Sequence, residues 1–235
     1  MLDNIPISKA EACRILATEG WLATAAADFR SEFLAKGQIR TFTSGSQIST
    51  AGDDDSIGSG MYGIVAGQVA VVPGMGPADT PVALLFHKGD WGGYAPLFLP
   101  ANVAHIHAVI PTTILCLSIG EVRSMLHERP EWWKEIAKLS FEAGIRYAGV
   151  GVDQLIPNSG RRLAALLLHL ANCRHSGAAK PIHLSQEEIG QTAKLSRHPT
   201  RHLLRDFDAR GWISQSYRCI DIIQPEHLRA CANSD

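Results

Sequence analysis

The sequence has no long apolar run. The longest, Leu163 to Leu170, contains His169 and is far shorter than the roughly 18 residues that a membrane-spanning helix needs. The first residues also lack a basic segment followed by an apolar core, so we expect no secretory signal peptide. These absences predict a cytoplasmic protein that does not enter a membrane.

Cysteine is sparse and its spacing shows no pairing. The five cysteines are odd in number and never form a C-x-x-C pair, which argues against a disulfide framework or a cysteine-rich metal site. An iron–sulfur cluster needs four thiolates, and the N-terminal half supplies only Cys13 and Cys116. We expect reduced, structural thiols at these five positions: Cys13, Cys116, Cys173, Cys219 and Cys231.

Charge is distributed unevenly along the 235 residues, although the formal net charge is only −1. Residues 1–157 carry 11 Lys and Arg against 16 Asp and Glu, a net of −5. Residues 158–235 carry 11 against 7, a net of +4, and hold six of the ten histidines. The N-terminal part of the chain is thus acidic and the C-terminal part basic, which indicates that a polyanionic partner binds the C-terminal part only.

Short β-rich runs occupy the chain from Thr41 to Leu117, and glycines fall between or beside them, as turns with positive φ require. Many short strands at this spacing predict a sandwich or a barrel-like roll. The predicted strands are residues 48–50, 61–65, 68–72, 82–86, 105–109 and 113–117.

Helical patterns flank this β region. A helical segment is predicted from Ser8 to Lys36, and a long helix from Glu131 to Ile156, where apolar residues recur every three or four positions. Its second half is rich in small residues, which suit a closely packed partner helix in a dimer or close packing on the β-roll. The predicted dimer interface is Ile136, Leu139, Ala143, Tyr147 and Val150.

A break at residues 157–160 separates this helix from a second domain, because Pro157 stops the preceding helix and Asn158 can cap the next. The next helix is predicted from Arg161 to Cys173. The expected fold class is therefore α+β: a β-roll domain over 1–130, a long dimerisation helix over 131–156 and a C-terminal domain over 157–235.

Helix, tight turn, helix and a two-stranded wing are predicted in residues 182–223. Residues 185–188 form a capping box before one helix, and Ser196 is expected to cap a second helix that runs to Arg210. Gly211 supplies a left-handed stop, and alternation at Ile220 and Ile222 follows a turn. This order predicts a winged helix-turn-helix.

One face of the second helix is rich in cationic and hydrogen-bonding side chains, which suit the major groove of DNA. The alternative is a solvated basic face on an ordinary helical hairpin. The predicted DNA-binding residues are Gln186, Ser196, Arg197, His198, Thr200, Arg201, His202 and Arg205.

The sequence resembles the Crp/Fnr family of bacterial transcription regulators over nearly its whole length. The resemblance is carried by residues 184–189, 195–197 and 204–213, and by Gly52-Asp53, residues 61–69 and Gly89-Asp90-Trp91. It implies a cyclic-nucleotide-binding-like β-roll and a homodimer. The implied partners of this homodimer are a duplex DNA with an inverted repeat and RNA polymerase.

The sequence departs from the family where members bind the cyclic phosphate. Tyr94 stands where the resemblance implies a ribose-binding Glu, and no Arg or Lys occurs between Lys88 and Arg123 to neutralise a phosphate. We therefore expect cyclic AMP to bind weakly or not at all, a sensor that responds to an unidentified effector or has lost its ligand, and no cofactor. The predicted pocket is Met61, Trp91, Gly93, Tyr94, Asn102, Val103, Arg146 and Tyr147.

Two rival interpretations remain. His105 and His107 share one strand face, as in a cupin-like metal-dependent enzyme with a DNA-binding tail, but no carboxylate occurs between Asp90 and Glu121, and we expect no metal. Haem ligation through His87, His105 or Cys116 also remains open. A purely structural dimer that tethers partner proteins is disfavoured by the basic helix.

Overall fold

The computed structural model describes residues 7–52, 60–74, 76 and 80–234. Two compact units are present: Met1–Pro77 with Phe86–Glu142, and Ala78–Leu85 with Ala143–Asp235. Asp53, part of one motif that carried the family resemblance, and the first six residues lie outside the described part of the chain.

The first unit begins with helix α1 (Lys9–Thr18), a 3₁₀ turn (Trp21–Thr24) and helix α2 (Ala27–Lys36). The predicted helical segment is thus broken at Gly20, whose φ is +69°. A Cβ there would lie 2.0 Å from the carbonyl oxygen of Gly89, so the chain needs glycine at this close approach.

Within the described residues, this region has eight strands in two four-stranded sheets, and the pairs β1–β8, β3–β8, β3–β6, β2–β7 and β4–β7 are antiparallel. Their orders are β1-β8-β3-β6 and β2-β7-β4-β5, and the predicted β-roll is confirmed. The two strands that the sequence did not predict are β1, which is largely exposed and polar, and β6, which has only two residues. The bounds are β1 Gln38–Phe42, β2 Gln47–Ser49, β3 Gly60–Ala66, β4 Val69–Pro73, β5 Leu84–Phe86, β6 Trp91–Gly92, β7 Ala104–Ala108 and β8 Thr112–Ser118.

Aromatic side chains of the N-terminal helices fill the core of this unit. Neighbouring rings lie 5.1–5.9 Å apart between centroids, mostly edge to face. The indole N–H of Trp21 donates to the carbonyl of Glu135 over 2.9 Å, which ties this core to the start of the long helix. The ring cluster comprises Trp21, Phe29, Phe33, Trp91 and Trp132.

Helix α3 (Ile119–Glu128) starts at a capping box formed by Ser118 and Glu121. A 3₁₀ turn (Pro130–Trp132) then leads into the long helix α4 (Trp133–Asp153), which begins two residues later and ends three residues earlier than predicted.

One apolar face of α4 is buried within the chain itself. Ile136 and Leu139 pack in the core of the first unit, and Val150 is also buried. The prediction that these three residues form a dimer interface is therefore wrong, because their apolar surface is already covered. Ala143 is half-buried and Tyr147 is exposed.

The second unit contains a winged helix-turn-helix, as predicted. Asn158 caps α5, accepting from the backbone N–H of Arg161 over 3.0 Å, and α5 ends three residues before the predicted Cys173. The C-terminal helix α8 was not predicted. The elements are α5 Ser159–Leu170, α6 Gln186–Thr192, α7 Arg197–Ala209, β9 Ile213–Ser216, β10 Cys219–Ile222 and α8 Pro225–Asn233.

The α+β fold class, with a β-roll, a long helix and a C-terminal winged helix-turn-helix, is therefore confirmed. Among the described residues, no helix combines the length and the apolar character needed to cross a membrane.

Candidate nucleic-acid interface and sensor residues

The first helix of the motif is fixed by its predicted capping box. Glu188 accepts from the backbone N–H of Ser185 over 2.7 Å, and Ser185 Oγ accepts from the backbone N–H of Glu188 over 3.2 Å. Ile189 and Ala193 are fully buried. The helix start and its inward face are as the sequence predicts.

The turn between α6 and α7 brings the two helices into contact. Lys194 adopts a left-handed φ of +54°, and a Cβ on Gly190 would lie 2.6 Å from Thr200 Oγ1. Thr200 is 1% exposed, and its hydroxyl donates to the carbonyl of Ser196 over 2.9 Å. The prediction that Thr200 contacts DNA is wrong, because it is buried between the helices. Ser196 occupies the N-cap position of α7, as predicted, but its side chain makes no capping hydrogen bond.

The basic side chains of α7 share one exposed face. Positions 197, 198, 201, 202 and 205 recur with the helical period, and Leu204 and Phe207 are buried on the other side. Gln186 lies at the start of α6, where its side-chain N–H donates to Gln215 over 2.9 Å. The exposed set is Arg197, His198, Arg201, His202 and Arg205.

The wing adds residues that the sequence analysis missed. Tyr217 is 93% exposed at the turn between β9 and β10, and Arg218 beside it has a φ of +51°. Arg218 donates to Glu188 over 3.0 Å, so the carboxylate that caps α6 also holds the wing. A β-turn with an exposed aromatic residue was the available signal in the sequence.

Met61 and Trp91 belong to the core cluster that contains the N-terminal helices. Strand residues alternate between faces, so Tyr62, which is 2% exposed, lies on the other face of β3. The expectation that Met61 and Trp91 line the sensor pocket is therefore wrong. Gly93 has a φ of +80°, and a Cβ there would lie 1.9 Å from the carbonyl oxygen of Gly60, so this glycine serves close backbone packing.

Tyr94 begins a 3₁₀ turn (Ala95–Leu97) and packs against the same core. Arg123 of α3 donates to the carbonyl of Pro96 in that turn. The sequence does not predict this contact, because Arg123 is 27 residues from Pro96 and reaches it only where α3 folds back onto the turn.

The other predicted sensor residues lie apart along the chain. The carbonyls of Asn102 and Val103 accept from the backbone N–H groups of Gly52 and Gly74, over 2.9 Å and 2.8 Å. In the second unit, Arg146 Nη2 lies 3.4 Å from the carbonyl oxygen of Leu85.

His105 and His107, the two histidines considered as metal ligands, lie on strand β7. His105 Nδ1 accepts from the backbone N–H of Ala51 over 3.4 Å. Within the described ranges, no group of three or more His, Cys, Asp or Glu side chains is placed to hold a metal ion. Burial raises the pKa of the Cys116 and Cys173 thiols, which favours their protonated form.

Known proteins resemble this chain both in its C-terminal domain and along most of its length. Residues 161–231 match the family model of the Crp-like helix-turn-helix domain. The chain is 24% identical over 176 residues to the CRP-like cAMP-activated global transcriptional regulator of Mycobacterium tuberculosis, an alignment covering 73% of this chain and 79% of that protein.

Solved structures share the fold. A CRP-family transcriptional regulator from Thermus thermophilus aligns with a TM-score of 0.63 at 21% identity, covering 83% of this chain and 97% of that one. The c-di-GMP responsive global regulator CLP of Xanthomonas campestris aligns with a TM-score of 0.62 at 15% identity, covering 84% and 99%. The chain therefore carries a Crp-like helix-turn-helix domain over residues 161–231 and is similar, along most of its length, to a CRP-like transcriptional regulator.

Proposed function

We propose that the protein is a homodimeric regulator, and not an enzyme, that binds an inverted-repeat duplex DNA through α7. The main support for this proposal is the exposed face of α7, which presents Arg197, Arg201 and Arg205 together with two histidines. Arginine can donate two hydrogen bonds to guanine O6 and N7, and cationic side chains neutralise DNA phosphates. The net charge of +4 over residues 158–235 acts in the same direction.

The dimer is proposed to form on the exposed face of α4. Phe141, Ile145, Val152 and Leu155 are 72%, 57%, 65% and 78% exposed. With Ala148 between them, their spacing of four, three, four and three residues is that of a coiled-coil seam. We name this set the α4 stripe: Phe141, Ile145, Ala148 and Val152 of α4, with Leu155 in the turn that follows the helix.

Two glycines beside the α4 stripe support this assignment. A Cβ built on Gly144 or on Gly151 would meet nothing within 4 Å in the same chain. Intrachain packing therefore gives no reason for either glycine, although each costs about 1 kcal/mol of helix stability relative to alanine. A two-fold partner helix lying close to α4 would supply the reason.

The sensor is proposed to respond to a molecule other than cyclic AMP. The Mycobacterium relative is described as cAMP-activated and the Xanthomonas protein as c-di-GMP responsive. This chain has no Arg or Lys from residue 89 to residue 122 to pair with a phosphate. We propose three functional segments: a sensor over 1–130, a dimerisation helix over 131–156 and a DNA-binding domain over 157–235, acting in the cytoplasm with RNA polymerase as a partner.

Selection from a random duplex library tests the proposal. The full-length protein is incubated with the library, bound duplexes are recovered and sequenced, and affinity is measured by fluorescence anisotropy. We expect an inverted repeat whose half-sites are one or more helical turns apart, because the two α7 helices of a dimer enter major grooves about 34 Å apart. His198 stands where relatives place a Glu, so the half-site is expected to differ from theirs. Failure to enrich any sequence would refute the proposed function.

A further inference from the structure

A buried ion-pair cluster lies where α4 ends. Asp153 Oδ2 accepts from His169 Nε2 over 2.8 Å and from Arg174 Nε over 2.6 Å, and Oδ1 accepts from Arg174 Nη2 over 3.2 Å. Arg174 Nη2 also donates to Asn233 Oδ1 over 2.9 Å. All four residues belong to the second unit. The cluster therefore joins α4 to the last turn of α5, to the segment after α5 and to the end of α8.

Local helix stability does not explain Asp153. A carboxylate at the C-terminal end of a helix is disfavoured by the helix dipole. Burial of the charge adds a desolvation cost, since the side chains of Asp153, His169 and Arg174 are 13%, 7% and 11% exposed. The hydrogen-bonding partners of Asp153 in this cluster all lie outside α4, so the cluster fixes α4 relative to the rest of the unit.

We propose that Asp153 is a positioning residue for DNA binding. It holds the end of α4 at a fixed angle to α5 and α8, which belong to the same unit as α7. The inference rests on the proposed function, in which the dimer forms on α4. The distance between the two recognition helices then depends on this angle. A two-pronged Arg–carboxylate pair is planar and directional, so it resists rotation at the junction. Without this ion pair, each α7 still binds its own half-site, but the two α7 helices of the dimer are no longer held at the distance that separates the half-sites.

The test compares Asp153→Asn with Glu226→Gln. Glu226 pairs with Arg229 over 2.6 Å in the same unit, but its side chain is 80% exposed, and both substitutions remove one negative charge. The probes are the duplex selected by the wild type, the same duplex with one half-site scrambled, and the same duplex with two base pairs inserted between the half-sites.

For Asp153→Asn we expect at least a ten-fold loss of affinity for the selected duplex and less than a two-fold change for the scrambled one. The preference for the selected spacing over the inserted one should also fall at least five-fold. Glu226→Gln should behave as the wild type on all three probes.

A second variant covers the case in which Asp153→Asn does not fold. Arg174→Lys keeps the positive charge but loses the two-pronged contact, and it should give the same pattern on the three probes. In the double variant the losses should not add, because both changes remove one interaction.

Two results would overturn the inference: wild-type affinity of Asp153→Asn and Arg174→Lys for the selected duplex, or equal losses on the selected and scrambled duplexes, which a merely structural role predicts. Failure of the proposed function shows separately, as the absence of any sequence selected by the wild type.

Discussion

Gly149 of α4 faces the imidazole of His169 on α5: a Cβ at Gly149 would lie 3.2 Å from His169 Cε1. The ring cannot move away freely, because its Nε2 is held by Asp153 over 2.8 Å. The glycine is therefore explained by close packing within the second unit, rather than by a partner helix or by the β-roll.

Gly149→Ala should lower the free energy of unfolding by about 1 kcal/mol, because an overpacking cost of about 2 kcal/mol exceeds the gain of about 1 kcal/mol for alanine over glycine in a helix. Gly120→Ala in α3 is the matched control, since a Cβ there would meet only Ser118 Oγ at 4.0 Å and alanine is the better helix former. Urea unfolding followed by circular dichroism measures both. An increase in stability for Gly149→Ala equal to that of Gly120→Ala would contradict the packing argument.

Stability should fall as the pH drops below about 6.5. The pKa of His169 lies below its ordinary value: burial lowers it, the Asp153 carboxylate raises it, and the charges of Arg174 and His175, its other charged or titratable neighbours, lower it further. The unfolded chain then binds more protons than the folded chain below the ordinary value of 6.5, so stability is lost as the pH falls towards the folded pKa.

Asp153 contributes in the same direction at lower pH. Burial raises its pKa, but the hydrogen bonds from Arg174 and His169, together with the charges of these two residues, outweigh this and leave the pKa below 3.8. Its contribution to stability is thus present above pH 3.8 and lost as the pH falls through the folded pKa.

Urea unfolding at pH 7.0, 6.0 and 5.0 tests the contribution of His169. As the pH falls, the free energy of unfolding should decrease less for His169→Gln than for the wild type. Equal decreases would exclude His169 as the source.

Ile145→Glu should weaken dimerisation at least a hundred-fold, because it places a charge in the proposed apolar seam. Ile223→Glu is the matched control: Ile223 is 56% exposed and Ile145 57%, and both lie in the second unit. Sedimentation velocity at micromolar concentration distinguishes monomer from dimer. Unchanged association of Ile145→Glu would show that the α4 stripe is not the interface.

Arg201→Ala should cost about 1–3 kcal/mol in affinity for the selected duplex and relax the preference at one base pair, as expected for a guanidinium that reads a base. Arg14→Ala, which removes a largely exposed arginine in the first unit, serves as the control and should have no effect. Anisotropy titrations against the selected and point-substituted duplexes measure both. A uniform loss across all sequences would instead make Arg201 a phosphate contact.

Cyclic AMP should bind no more tightly than millimolar. Loss of a charge-assisted, two-pronged partner for a buried phosphate costs about 2–5 kcal/mol, enough to turn micromolar into millimolar affinity. Isothermal calorimetry with cyclic AMP and cyclic GMP measures this. A micromolar dissociation constant would contradict the interpretation of residues 89–122. Its disappearance in Arg146→Ala would identify Arg146 as the replacement cation.

The sequence predicted the elements whose signals are local. The capping box at Ser185, the left-handed stop at Gly211 and the cap at Asn158 depend on neighbouring residues, and all three are present in the structure. Strand β1 was missed because its largely exposed residues carry little apolar alternation.

Errors arose where a choice between two faces depends on distant packing. Met61 and Tyr62 are adjacent apolar residues of β3, so their side chains lie on opposite faces of the sheet. A shift of the strand by one residue would exchange the two faces, and the local sequence does not determine which side chain packs against the N-terminal helices. Helix α4 likewise has two apolar stripes. Periodicity identifies both, but only the packing of the core shows that Ile136 is covered and Ile145 is exposed.

The stoichiometry of the complex on the selected duplex tests the central claim most directly. Analytical ultracentrifugation of the wild type at increasing ratios of protein to duplex gives the number of chains bound. We predict saturation at two chains per duplex, with one chain on each half of an inverted repeat. Saturation at one chain per duplex, or a selected site without two-fold symmetry, would contradict the claim.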